Sequence, residues 1–103
     1  MARRILLVDD DEDFLFATRR MLEVAGYCVC TARDASEACC QLKAEIPALI
    51  ILDIIMPGKD GRVLAREFSK DEALNKIPVT LLTAVADNPG QMIRAFREDK
   101  VQG

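Results

Sequence analysis

Ala48-Leu49-Ile50-Ile51-Leu52-Asp53 is an apolar run that ends in a carboxylate, and the chain turns directly after it at Met56-Pro57-Gly58. Ile5-Leu6-Leu7-Val8 behaves the same way and empties into Asp9-Asp10-Asp11. Runs without polar alternation suit strands buried on both faces, which parallel sheets between helix layers require. Working outward, the spacing predicts strands at about Arg4–Asp9, Tyr27–Thr31, Ala48–Asp53 and Val79–Leu82. Helices are predicted from near Glu12 to Ala25, from Asp34 to just before Pro47, and from about Gly61 to Ser69. A last helix should open at Asn88-Pro89 and run to about Glu98. Gly26 is placed to end the first helix, and Asp34 with Glu37 suits a capping box. The βαβαβαβα order argues for a doubly wound α/β domain. In such sheets the working site lies beyond the carboxyl ends of strands, near the point where the winding reverses. Asp9, Asp10, Asp53 and Thr83 all fall at such ends.

Composition narrows the function classes. The chain has 103 residues, half of them apolar, and a net charge of −3. That is one domain of ordinary globular make-up, with no electrostatic footprint for nucleic acid. Arg3-Arg4 precede only four apolar residues, too few for a signal peptide, and nothing approaches membrane-spanning length. A cytoplasmic protein with neither nucleic-acid nor membrane partner is the expectation. Four cysteines, Cys28, Cys30, Cys39 and Cys40, match no common zinc spacing and have no histidine to complete one. They read as reduced, small apolar filler. The absence of histidine also removes Ser-His-Asp and Cys-His nucleophile systems. On the first helix, Phe14, Ala17, Met21 and Leu22 read as a buried stripe.

Several carboxylates held together raise one another's pKa unless a counter-charge is present. A hard divalent ion such as Mg²⁺ resolves that conflict, since it takes carboxylates together with water and phosphate oxygens. One carboxylate could then attack a phosphoryl group, and the Thr83 hydroxyl could bond a phosphoryl oxygen. Taken singly, each residue has a plainer reading. The acids of Asp9–Asp13 could merely favour the positive end of the first helix, and an Asp at a strand end is commonly a turn or cap.

Joined at their spacings, the blocks Leu6-Leu7-Val8-Asp9-Asp10-Asp11, Leu52-Asp53-Ile54-Ile55-Met56-Pro57-Gly58-Lys59-Asp60-Gly61 and Pro78-Val79-Thr80-Leu81-Leu82-Thr83-Ala84 are specific. They resemble the receiver domain of bacterial two-component response regulators, and the likeness covers the whole chain. The resemblance implies a flavodoxin-like, doubly wound parallel sheet of order 2-1-3-4. It implies a signalling switch rather than an enzyme, with Asp53 as phosphoacceptor, charged by a sensor histidine kinase or phosphotransfer protein. Asp10 and Asp53 would bind Mg²⁺ directly, the backbone carbonyl of Ile55 would add a ligand, and Asp9 would assist through water. Thr83 would bond the phosphoryl group and act as the switch. A phosphorylation-independent interaction or dimerisation domain is the alternative. Asp9-x-Asp11 also resembles the motif of haloacid-dehalogenase-type phosphatases, but lacks the Thr or Val expected after the second Asp.

The likeness breaks off at the carboxyl end. The family's fifth strand, its Lys-Pro pair and its fifth helix have no counterpart before Gly103, and no residue here matches that lysine. The expectation is therefore a receiver domain over residues 1–103 that is C-terminally incomplete. Its strand four would form an exposed edge, through which the chain could form a homodimer.

Overall fold

The structure is a computed structural model that describes residues 3–54, 56 and 60–82, together with the backbone of 96–99. The elements run β1 (Arg4–Val8), α1 (Glu12–Val24), β2 (Cys28–Ala32), α2 (Ala35–Ala44), β3 (Leu49–Asp53), α3 (Gly61–Lys70), β4 (Val79–Leu82) and β5 (Phe96–Asp99). The sheet order is β2-β1-β3-β4-β5. Strands β2, β1, β3 and β4 are joined by parallel pairings, in the expected 2-1-3-4 order.

The apolar runs are buried on both faces because each strand alternates between two helix layers. On one face Leu6, Val8, Ile50, Leu52, Val79 and Leu81 meet Ala38 and Leu42 of α2 and Leu64, Ala65 and Phe68 of α3. On the other, Ile5, Leu7, Val29 and Ile51 pack with Leu15 of α1. Fully burying a side chain of this kind contributes roughly 1.5–3 kcal/mol. The central strands β1 and β3 therefore hold most of the fold, and their ends are its best-fixed points.

Helix boundaries follow the capping chemistry. Asp11 caps α1, its Oδ1 accepting from Asp13 N at 3.0 Å and Phe14 N at 3.2 Å. Gly26, at φ +103°, ends the helix in the left-handed region open to glycine. Asp34 caps α2 by accepting from Glu37 N at 2.8 Å. Glu37 completes the box one residue early, accepting from Arg33 N at 3.0 Å. Asp34→Ala should cost about 1 kcal/mol, measured as a lower urea midpoint with an unchanged slope. A midpoint equal to that of the unaltered chain would contradict this.

Two expectations need correction. Of the stripe foreseen on α1, Ala17 and Met21 are exposed, Phe14 and Leu22 are half-buried, and the buried contact is Leu15. Apolar residues occur all round this helix, so periodicity alone could not select the inward face. The helix foreseen to reach Glu98 does not do so: Phe96–Asp99 is a strand, antiparallel to β4, while residues 88–95 lie outside the described ones. Leu82 pairs with Phe96 and Val79 with Asp99. The outer edge of β4 is thus occupied rather than exposed, because a neighbouring stretch of the same chain takes up its backbone donors and acceptors. This removes the physical ground for a homodimer through that edge. Among the described residues no helix is long and apolar enough to cross a membrane.

Candidate functional site

The chain leaves β1 toward β2 on one side and later returns to β3 on the other, so a crevice opens beyond the ends of β1 and β3. Val8 and Leu52 are register partners. Asp9 therefore follows its strand directly beside Asp53, the last residue of β3. Asp53 in turn lies opposite Leu82, and Ile54 N donates to Leu82 O at 3.1 Å. Asp9 and Asp53 are 4% and 6% exposed, while Asp10 is open to solvent. One carboxylate oxygen from each of Asp9, Asp10 and Asp53 can be chosen so that all three lie within 4.8 Å of one another.

Asp11 does not join them. Its side chain faces the amide ends of α1, and the acidic triplet of the sequence divides into two site residues and a helix cap. The Asp11 amide nevertheless serves the site, donating to Asp9 Oδ1 at 2.9 Å and fixing that carboxylate's orientation. Asp9 N donates to Ala32 O at 3.0 Å, which ties the loop to the end of β2.

The Asp9 carboxyl is pushed up from its ordinary 3.8 to about 7. Burial is the main cause, the Asp11 amide opposes it, and the neighbouring charges of Asp53, Asp10 and Asp11 add to it. Near neutral pH the cluster is therefore short of positive charge. Its donors are all oxygen, two buried and one facing water, which suits a hard octahedral ion that keeps part of its hydration shell. Mg²⁺ fits this donor set. The thiols lie elsewhere, on β2 and α2.

Two features support the site in ways the sequence alone did not show. Gly61 starts α3 directly against the end of β3, its amide donating to Ile54 O at 2.7 Å. A Cβ there would sit 2.8 Å from Asp53 C and 2.9 Å from Ile54 Cα. The signal for it was the Asp60-Gly61 pair, which closes the second motif block and opens the predicted helix; Asp60 is the N-cap of α3. Arg33 pairs with Glu12 at 2.5 Å and with Glu37 at 3.4 Å, bridging the first turns of α1 and α2. A contact 21 residues apart in sequence leaves no local pattern to read. Ile55 and Thr83, expected to serve the site, lie outside the described residues.

Comparison with known proteins gives a consistent picture. Residues 5–101 match the sequence profile of the response regulator receiver domain. Over 93% of its length the chain is 41% identical to the regulatory protein VanRB of Enterococcus faecalis, covering 42% of that protein. It is 37% identical to the response regulator PleD of Caulobacter vibrioides, covering 93% of this chain and 21% of that one. The chain thus spans less than half the length of these curated relatives. Among solved structures, the N-terminal domain of a response regulator receiver protein from Methanoculleus marisnigri superposes with a TM-score of 0.79 at 34% identity. That match covers 91% of this chain and 76% of the other. The chemotaxis response regulator CheY4 of Vibrio cholerae gives a TM-score of 0.77 at 26% identity, covering 88% and 75%.

Proposed function

This chain belongs to the response regulator receiver domain family, and from that membership we propose that residues 1–103 form a phosphoacceptor switch in which Asp53 receives the phosphoryl group. The observation that carries the reading is the convergence of Asp9, Asp10 and Asp53 at the carboxyl end of a parallel sheet. An Asp53 carboxylate oxygen attacks phosphorus in line with the leaving group. The new O–P bond forms as the P–N bond of a phosphohistidine, on a sensor kinase or phosphotransfer protein, breaks. Bound Mg²⁺ supplies charge neutralisation for the transferring oxygens. Asp10 and Asp53 would hold it directly, the Ile55 carbonyl would add a ligand, and Asp9 would act through water. The Asp11 amide keeps Asp9 aimed into the site, and the Thr83 hydroxyl would donate to the phosphoryl oxygen.

The chain acts as a switch, not as an enzyme that turns over an external substrate. A phosphoryl dianion beside buried carboxylates is a large local change in charge. Such a change biases a population between two conformations in proportion to its differential interaction with each. A signalling partner would read that shift in the cytoplasm.

Incubation with acetyl phosphate and Mg²⁺, followed by intact-mass measurement, tests the reading. The chain should gain one phosphoryl group, and Asp53→Asn or removal of Mg²⁺ by chelation should abolish the gain. An equal gain in Asp53→Asn would overturn the assignment.

A further inference from the structure

Cys28 and Cys30 occupy alternate positions of β2, an edge strand of the sheet, so their side chains leave the same face, the one that α2 covers. Both are free thiols, Cys28 exposed and Cys30 half-buried. Parallel pairing sets Arg4 opposite Cys28 and Leu6 opposite Cys30. The Arg4 guanidinium reaches along this face and donates through Nη1 to Cys30 Sγ at 3.1 Å. Its Nη2 pairs with Glu45 at 2.8 Å, which holds the group in place. The guanidinium is raised above its ordinary value by the Cys30 bond first, and further by Glu45 and Cys28. A cavity of about 60 Å³ lined by Arg4, Cys30, Gln41 and Glu45 opens beside it.

Geometry limits what two such thiols can do. Alternate residues of a strand are separated by about 6.6 Å along its axis. A disulfide needs its Cβ atoms about 4 Å apart, so these two cannot bond without moving the backbone. A structural zinc site needs four ligands; these two thiols supply only half of them, the other two cysteines are exposed on α2, and the chain has no histidine. The spacing does suit an ion content with two sulfurs on opposite sides of it. Soft thiolates suit Cu(I), zinc and iron–sulfur clusters, and of these Cu(I) is the one that two sulfurs alone can satisfy.

We propose that Cys28 and Cys30 form a two-thiolate site for a soft monovalent cation of the Cu(I) type, with Arg4 as its positioning residue. Binding forms two metal–sulfur bonds and releases the two thiol protons, leaving one net negative charge on the complex. Arg4 offsets that charge and donates to the coordinated Cys30 sulfur, as hydrogen bonds around metal ligands commonly do. The site lies on the face of β2 under α2, does not involve Asp53, and stands whether or not the chain is phosphorylated.

The test is an anaerobic titration of the reduced chain with Cu(I) against a chromophoric Cu(I) chelator, with X-ray absorption on the loaded protein. One equivalent should bind, with two sulfur neighbours. Cys28→Ser and Cys30→Ser should each lose it, while the pair Cys39→Ser with Cys40→Ser keeps it. Arg4→Gln should weaken binding about 10–100-fold. Cys28 is exposed, so its variant reports on the site even if the Cys30 change disturbs packing. Retention of the equivalent in Cys28→Ser, its loss in the Cys39 and Cys40 pair, or a shell of three or four ligands would overturn the proposal.

Discussion

Gly61→Ala should cost the protein about 3 kcal/mol or more and should also abolish phosphorylation by acetyl phosphate. The added methyl meets backbone, not the flexible end of a side chain. Its ideal position is 2.8 Å from Asp53 C and 2.9 Å from Ile54 Cα, closer than real Cβ atoms come. Either α3 must withdraw or the end of β3 must move. Withdrawal breaks the Gly61 N to Ile54 O bond and loosens Leu64, Ala65 and Phe68 from their core. Movement of β3 carries Asp53 out of register with Asp9. A typical domain is stable by only 5–15 kcal/mol, so either route is a large fraction of the total. Urea unfolding reads the first effect and intact mass the second. A variant with the stability of the unaltered chain and full labelling would show that α3 does not abut the site as described.

The second large effect is a pH dependence of the metal-free protein. Between about pH 4 and 7 folded Asp9 holds a proton that the unfolded chain has already released. The stability tied to this group is therefore fully present below about pH 4 and lost as pH rises through about 7. A displacement from 3.8 to about 7 is worth roughly 4 kcal/mol at most. In chelator, the urea-derived stability should fall across that window. Asp9→Asn should remove most of the fall while keeping the Asp11 amide bond, because an amide oxygen can accept it. Added Mg²⁺ at pH 8 should restore stability by about 2.7 kcal/mol at a hundredfold excess over its dissociation constant. That restoration should be reduced in Asp9→Asn. Stability of the metal-free chain that rises steadily from pH 4 to 8 would contradict the electrostatic account.

What was legible in the sequence had a strong local signature. Ile5–Val8 and Leu49–Leu52 are apolar without alternation because helices cover both their faces, and that pattern located β1 and β3. The carboxylates that end those runs then fell at one sheet edge by topology alone, so Asp9, Asp10 and Asp53 could be brought together before any coordinates. What was not legible depended on contacts far apart in sequence. The inward face of α1 is chosen by the sheet, not by a helix that is apolar all round. The pairing of Phe96–Asp99 with β4 answers an open strand edge, whereas the local sequence after Asn88-Pro89 reads as helical. Cysteine composition suggested filler, yet Cys28, Cys39 and Cys40 are exposed and Cys30 accepts a guanidinium bond. Asp11 was not among the expected site residues, and its place as the cap of α1 agrees with acids near that end favouring the positive end of the helix.

The whole account rests on one carboxylate being the acceptor among several that share a crevice. Borohydride reduces an aspartyl phosphate to homoserine, which marks the modified position in the sequenced peptide. After treatment with acetyl phosphate and Mg²⁺, homoserine is expected at position 53 and at no other acidic position. Homoserine at position 9 or 10, or at none, would contradict the central claim.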